Sequence, residues 1–317
     1  MFEIFENVEY EVINKGKDFV IGDIHYDSRK IKENDVFCAL IGAVTDGHNY
    51  IEKAVNSGAK MVIAEKKDIT VADKDVTYIF VDNLRKHLGV IASNFFGWPQ
   101  KKLKIIGITG TNGKTTSSYI MDSMLENTSR IGTIGYKILD EEIEAPNTTP
   151  ESLDLVKMLD KSLKKGVEYF IMEVSSHALE IGRVDMLEFD SVMFTNLTQD
   201  HLDYHENMEN YFNAKFKLFS MLRNKDAAAV NIDDSYGERI YNSNKSYKSY
   251  SIIKDSDLKG KIEEYHNGGM KASVIFQGKE YSFETKLVGD YNLYNLLGCI
   301  GVLLNLGFDI KDIIERV

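Results

Sequence analysis

The chain has 317 residues, 43% hydrophobic and 27% charged, enough for a large core and about two domains. A formal net charge of −11 argues against nucleic acid or an anionic membrane as a general partner, so anionic substrates must be met by local donors. The two cysteines, Cys38 and Cys299, form no metal or disulfide pattern, the acidic start lacks a signal peptide's basic region, and the longest apolar run, near 296–306, cannot span a bilayer, which together predict a soluble cytoplasmic protein.

Residues 1–97 read as a small α/β unit. Strand-like pieces at 19–24, 35–40, 61–64 and 77–81 alternate with helical stretches at 51–57 and 84–95. Asp27-Ser28-Arg29 precedes Val36-Phe37, and residues 42–48 read GAVTDGH. Asn34 stands where a turn needs positive φ, which Asn tolerates almost as well as Gly. Trp98-Pro99-Gln100-Lys101-Lys102 is polar and carries one of three prolines, so it marks a boundary and leaves 98–317 as the second domain.

That second domain opens on KIIGITGTNGKTTSSY, residues 104–119. An apolar strand runs into glycines, then Lys114-Thr115-Thr116 opens a helical segment to about Leu125. Strand, glycine loop, Lys-Thr and helix is the arrangement that cradles phosphate. Backbone N–H groups turn inward at the oxygens, and the helix N-terminus adds partial positive charge. Lys114 would reach the β/γ-phosphates and the Thr115 hydroxyl would meet Mg²⁺. The match is not literal: the usual pattern wants Gly at 108, which is Ile, and Gly107 stands one residue further out.

RIGTIGY at 130–136 and an acidic turn follow, then Asn147-Thr148-Thr149-Pro150. Thr149 is a candidate N-cap for a helix beginning at Pro150-Glu151, with Leu153, Val156 and Leu159 at helical spacing. The apolar run 169–174 carries one carboxylate, Glu173, near its end, where a P-loop protein places a second metal-binding group. The bland alternative is a Glu turned to solvent. Ser175-Ser176-His177 and Arg183 come next. A second buried strand, 191–195, ends in Asn196 and then Gln199-Asp200-His201-Leu202-Asp203-Tyr204-His205. Two strands ending in polar clusters fit a mostly parallel sheet with its site at the carboxyl edge. The His/Asp cluster lacks a third ligand at zinc spacing, so a hard Mg²⁺ suits it better.

Residues 211–222 have amphipathic-helix spacing with Lys215 among Phe212, Phe216 and Phe219. Its spacing favours a snorkelling lysine, and a partly neutral, reactive one is the alternative. Residues 227–230 form another strand. Period-two alternation over 246–288, with turns at Asn267-Gly268-Gly269 and Gln277-Gly278, predicts an antiparallel subsheet. Asn292 and Asn295 share a face of the helix that runs to about Leu306, placed either to cap it or to touch a base or ribose.

GITGTNGKTT, NTTP, MEVSSHAL, TNLTQDHLDYH, AKFKLF and GDYNLYN, in that order, resemble the Mur ligases of peptidoglycan synthesis. The DSR and GAVTDGH segments resemble the branch that adds the third peptide residue. The resemblance covers essentially the whole chain. It implies an ATP-dependent amide-bond ligase with Mg²⁺, acting on a UDP-MurNAc-dipeptide through an acyl phosphate. It also implies a UDP-binding first domain and a P-loop second domain. Gly110, Thr111, Asn112, Gly113, Lys114, Thr115 and Thr116 would wrap ATP, with Asn292 and Asn295 on the adenine side. Thr115, Glu173 and His201 would hold metal, together with Lys215 as a carbamate. Ser28 would lie by the uridine, and Thr148, Thr149, Ser175 and Arg183 by the muramoyl peptide.

A third domain, which in the family binds the incoming amino acid, would begin where this chain ends. The resemblance therefore leaves the amino acid unread, and the chain is expected to be a monomer that ligates poorly or not at all on its own. Folylpolyglutamate synthase is disfavoured by the first domain, and a GTPase by the lack of an Asn-Lys-x-Asp segment. A substrate-holding module without chemistry is the alternative of a different class.

Overall fold

A computed structural model describes residues 1–42 and 45–317, so Ala43 and Val44 of the GAVTDGH segment lie outside the described residues. The chain forms two compact units. Unit 1 comprises Met1–Pro99, Glu151–Lys157 and Ile181–Met186; unit 2 comprises Gln100–Pro150, Met158–Glu180 and Leu187–Val317. The two later segments of unit 1 depart from the contiguous 98–317 expected from the sequence. The reason is visible in charges: Lys157 donates to Asp23 Oδ2 at 2.9 Å, Tyr26 donates to Asp154, and Arg85 pairs with Glu151.

In unit 1 the described strands are β1 (Glu11–Asn14), β2 (Ile24–His25), β3 (Val36–Ala39), β4 (Met61–Ala64) and β5 (Thr77–Phe80). They lie in the order β1-β5-β4-β3-β2, with only β1 antiparallel to its neighbour. Helix α1 (Ile51–Asn56) precedes β4 and α2 (Leu84–Phe96) follows β5. β3 and β4 are buried at every position and β5 at all but Phe80, as expected of a parallel sheet, with Phe37, Ala39, Val62, Ala64 and Tyr78 in one core cluster. Asn34 has φ 68°, as its place in the turn predicted. β1 was not anticipated, and of the expected strand at 19–24 only Ile24 lies in a strand, β2.

Unit 2 is built on one sheet. Its elements are β6 (Lys104–Thr109), α3 (Lys114–Met124), β7 (Thr128–Ile131), β8 (Tyr136–Ile138), β9 (Glu141–Ile143), α4 (Ser152–Lys164), β10 (Tyr169–Glu173), α5 (Ser176–Glu180), β11 (Ser191–Phe194), α6 (Leu202–His205), α7 (Met208–Ser220) and β12 (Ala228–Asn231). There follow α8 (Ser235–Ser243), β13 (Lys248–Ser251), β14 (Leu258–His266), β15 (Gly269–Phe276), β16 (Lys279–Thr285), α9 (Asp290–Asn305) and α10 (Ile310–Glu315). Of α4, only Met158–Lys164 belongs to unit 2; Ser152–Lys157 belongs to unit 1. Among the described residues, 11 strands run in the order β16-β15-β14-β13-β12-β11-β6-β10-β7-β8-β9. The run from β14 to β7 is parallel and both flanks are antiparallel.

The expected antiparallel subsheet is therefore present but smaller. β13 pairs in parallel with both neighbours, and only β14–β16 alternate. The β8–β9 hairpin and α8 were not anticipated. α9 supplies much of the core, burying Leu293, Leu296, Leu297, Ile300 and Leu303 against β12–β14 and α3 at helical spacing. Among the described residues, no helix is long and apolar enough to cross a membrane.

Candidate active site

The loop between β6 and α3 lies at the carboxyl edge of the parallel strands, with the ends of β10 and β11 on either side. Gly107, the shifted glycine of the motif, is not part of the loop; it lies inside β6, where a Cβ would sit 2.8 Å from the Phe189 ring. The turn itself is made by Gly110. Its φ is 142°, and an added Cβ would lie 1.9 Å from Thr195 Oγ1, so no side chain fits. The end of β11 clamps the loop from outside. Thr195 Oγ1 donates to Asn112 O at 2.6 Å, Asn112 N donates to Asn196 Oδ1 at 3.0 Å, and Thr111 N donates to Asn196 O at 2.8 Å.

Two lysines meet at one acceptor. Lys114 Nζ donates to Gly110 O at 3.0 Å and Thr111 O at 2.8 Å, while Lys215 Nζ donates to the same Gly110 O at 2.9 Å. Lys215 is 2% exposed and stands 4.6 Å from the centre of the Tyr211 ring. It does not snorkel, contrary to the reading from its spacing. Burial, and then the neighbouring Lys114 charge, push its pKa well below the ordinary lysine value. Lys114 is also lowered by burial, against the pull of Glu173 and Asp200.

Glu173 is fully buried, which rules out the solvent-facing alternative. Its carboxylate accepts from Thr115 Oγ1 at 3.0 Å and from the N and Oγ1 of Thr133, each at 3.1 Å. Gly132 is necessary here, because a Cβ would fall 2.1 Å from Glu173 Oε1. Thr115 gives its proton to Glu173 and keeps its lone pairs for a cation. Hydroxyl and carboxylate oxygens side by side suit a hard ion such as Mg²⁺.

Thr149 does not cap α4. Its hydroxyl donates to Glu173 O at 2.9 Å and accepts from Ser175 N at 3.1 Å, because α4 starts two residues later than a Thr149 cap requires. Thr148 Oγ1 lies 3.0 Å from Thr133 Oγ1. Thr148, Thr149, Ser175 and Glu173 are thus one hydrogen-bonded group.

His201 sits less simply. It has φ 51°, its ring is 3.5 Å from Asp200 Oδ2, and it meets the Tyr211 ring edge-on at 6.1 Å. His205 is committed elsewhere: Nε2 is 2.8 Å from Ser176 Oγ and Nδ1 is 3.2 Å from Glu180 Oε2, with Ser176 and His205 both buried. Among the described residues no group of three or more His, Cys, Asp or Glu is placed to hold a metal. Asn295 is buried and its Oδ1 accepts from Ser117 Oγ at 3.3 Å, whereas half-buried Asn292 donates to Val288 O. Thr116 lies in the first turn of α3.

Unit 1 has its own cavity, about 490 Å³, lined by Tyr26, Asp27, Ser28, Arg29, Phe37, Tyr50, Arg85 and Glu151 among others. Its size suits a nucleotide-sized ligand. Arg29 holds the Asp27 carboxyl down at about 2 through their side-chain hydrogen bond. Arg85 pairs with Glu151 and donates to Ile41 O at 3.2 Å; Arg183 Nε lies 3.8 Å from the same Glu151 Oε2. Ser28 and Arg183 therefore belong to unit 1, and the other sequence-predicted residues to unit 2. Thr133, Gly132, Thr195, Arg85 and Glu151 were missed. Thr133 and Gly132 stood inside RIGTIGY, whose glycines on either side of a polar residue were the available signal.

Residues 108–303 match the family described as Mur ligase middle domain, and residues 20–96 match Mur ligase family, catalytic domain. Two relatives are named UDP-N-acetylmuramoyl-L-alanyl-D-glutamate--2,6-diaminopimelate ligase. That of Fusobacterium nucleatum is 51% identical over 321 residues, covering 99% of this chain and 65% of the relative. That of Clostridium tetani is 44% identical, covering 98% and 65%. The chain thus spans just under two thirds of their length. A solved structure of a ligase with the same name superposes with a TM-score of 0.79 at 27% identity, covering 94% of this chain and 62% of that one.

Proposed function

Because this chain belongs to the Mur ligase family, we propose that it carries the acceptor-binding and ATP-binding units of a MurE-type ligase acting in the cytoplasm. The reaction joins the D-Glu carboxylate of UDP-MurNAc-L-Ala-D-Glu to an amino acid. The relatives are named for 2,6-diaminopimelate, which supports that diamino acid as the incoming amine here. The observation that carries the reading is the convergence of Lys114, Lys215, Thr115 and Glu173 on one loop at the sheet edge.

The physical obstacle is charge. A carboxylate must approach a polyphosphate, and two unit charges 4 Å apart at an effective dielectric of 20 repel by about 4 kcal/mol. The amides of the loop that Gly110 opens and the Lys114 ammonium receive the phosphates and offset that repulsion. Mg²⁺, held by Thr115 and Glu173, would supply further positive charge at the transferring group. The substrate carboxylate attacks the γ-phosphorus, ADP leaves, and the resulting acyl phosphate is opened by the amine nitrogen with release of phosphate. Thr148, Thr149 and Ser175 orient the peptide end of the acceptor, and the unit 1 cavity with Ser28 takes the uridine.

Lys215 fits its family role as a carbamate. Burial beside Lys114 favours the free amine, and a free amine is the form that adds CO₂. The product is an anion next to the Lys114 ammonium. His201 would join the metal shell only after turning from Asp200.

The test is calorimetry on the 317-residue chain with Mg-ADP and, separately, UDP-MurNAc-L-Ala-D-Glu. Each is expected to bind at one site, and Lys114→Ala should abolish the first while sparing the second. Binding of neither ligand would refute the reading.

A further inference from the structure

We propose that Thr133 is a positioning residue that couples the cation side of the site to the acceptor side through a reversible chain of hydroxyl protons. The inference rests on the reading of Glu173 and Thr148 given above. Thr133 Oγ1 lies 3.1 Å from Glu173 Oε2 and 3.0 Å from Thr148 Oγ1, and its backbone N–H donates to Glu173 Oε1. It has one proton for two partners.

Glu173 accepts on both oxygens, from Thr115 Oγ1, Thr133 N–H and Thr133 Oγ1, so the Thr133 hydroxyl proton goes to Glu173. Thr148 must then donate to Thr133, and the chain runs Thr148 to Thr133 to Glu173. In that state the single Thr148 proton is committed inward. Thr133 is exposed and covers a carboxylate that is itself fully buried, so a cation reaching Glu173 Oε2 competes directly with the Thr133 hydroxyl. Once displaced, Thr133 turns its proton to Thr148. Thr148 then has a free proton to give an acceptor oxygen of the ligand, and the chain has reversed.

The sign of the coupling follows: an occupied cation site tightens acceptor binding. Its size is that of one neutral hydrogen bond gained, about threefold to tenfold in Kd. By reciprocity the acceptor tightens Mg-nucleotide by the same factor.

The test measures the Kd of UDP-MurNAc-L-Ala-D-Glu by calorimetry with and without saturating Mg-ADP, on the 317-residue chain and on Thr133→Val, Thr133→Ser and Thr148→Val. The native chain and Thr133→Ser should show the tightening. Thr133→Val and Thr148→Val should lose it, leaving a ratio near one. Thr133→Val should bind Mg-ADP at least as well as the native chain, because a competitor for Glu173 has gone; a merely structural threonine would lower that affinity instead. Thermal melts with and without Mg-ADP report the same coupling independently. Equal tightening in Thr133→Val and the native chain overturns the inference while leaving the site reading intact. Failure of the native chain to bind Mg-ADP or the acceptor overturns both.

Discussion

Lys215→Met should make the protein more stable while removing the group proposed to assist phosphoryl transfer. Lys114 and Lys215 donate to the same carbonyl oxygen, at 3.0 and 2.9 Å, so their nitrogens are no more than about 6 Å apart. Two ammonium charges about 5–6 Å apart repel by roughly 3 kcal/mol at an effective dielectric of 20, and burial adds to the cost of charging Lys215. Glu173 and Asp200 return part of this to Lys114, and Asp200 part to Lys215. A net gain of about 1–2 kcal/mol remains for the methionine variant, a rise in Tm of roughly 2–6 °C for a chain of this size.

The pH dependence fixes the sign. The folded chain holds the Lys215 proton less tightly than the unfolded chain, so stability rises with pH from the depressed folded pKa up to about 10.4, the unfolded value. The variant lacks this contribution, so its advantage should be greatest below the depressed folded pKa and should narrow toward pH ~10. The assay is thermal and urea unfolding at several pH values in CO₂-depleted buffer. Added bicarbonate should then stabilise the native chain alone, since carbamate formation replaces the repulsion with an ion pair. A variant less stable than the native chain at pH 7 without CO₂, or a gap unchanged with pH, would refute the reasoning.

Gly132→Ala puts a Cβ 2.1 Å from Glu173 Oε1, so the carboxylate must leave its place between Thr115 and Thr133. A loss of about 1–3 kcal/mol in urea unfolding and at least tenfold weaker Mg-ADP binding are expected; unchanged Mg-ADP affinity would show that Glu173 has no part in that site. Arg85→Ala leaves Glu151 buried without its main partner and should destabilise the chain by about 1–3 kcal/mol, part of which Glu151→Gln in the same chain should recover. The single variant should also weaken UDP binding to the unit 1 cavity by about tenfold and leave Mg-ADP unaffected; a fall in both affinities would contradict the assignment of Arg85 to that cavity.

Much of the frame was legible in residue order because it depends on short-range rules. Apolar runs marked β3–β6 and β10–β12, and helical spacing marked α2, α3 and α9. Asn34 declared its own positive φ. The motif order pointed to the Mur ligase family, and that assignment stands. The failures were of two kinds. β2, β8 and β9 have three residues or fewer, too short to show a period, and β1 (EVIN) is exposed or half-buried throughout and so carries no buried apolar run; all four persist because neighbouring strands take their hydrogen bonds. Thr149 looked like a cap because sequence displays its neighbours in the chain, not the end of β10 where its hydroxyl goes.

The sequence by itself determined which residue types are available: a glycine turn ahead of Lys114, an acid at the end of a buried strand, a lysine on an aromatic helix. Their charge states and partners were decided only by the tertiary structure. Lys215 reaches Gly110 across 105 residues, Thr133 reaches Glu173 across 40, and Arg85 reaches Glu151 across 66. The physical reason is desolvation. A lysine's spacing is the same whether it snorkels or is sealed in, but the cost of its charge depends on how much water and which other charges the packed chain leaves beside it.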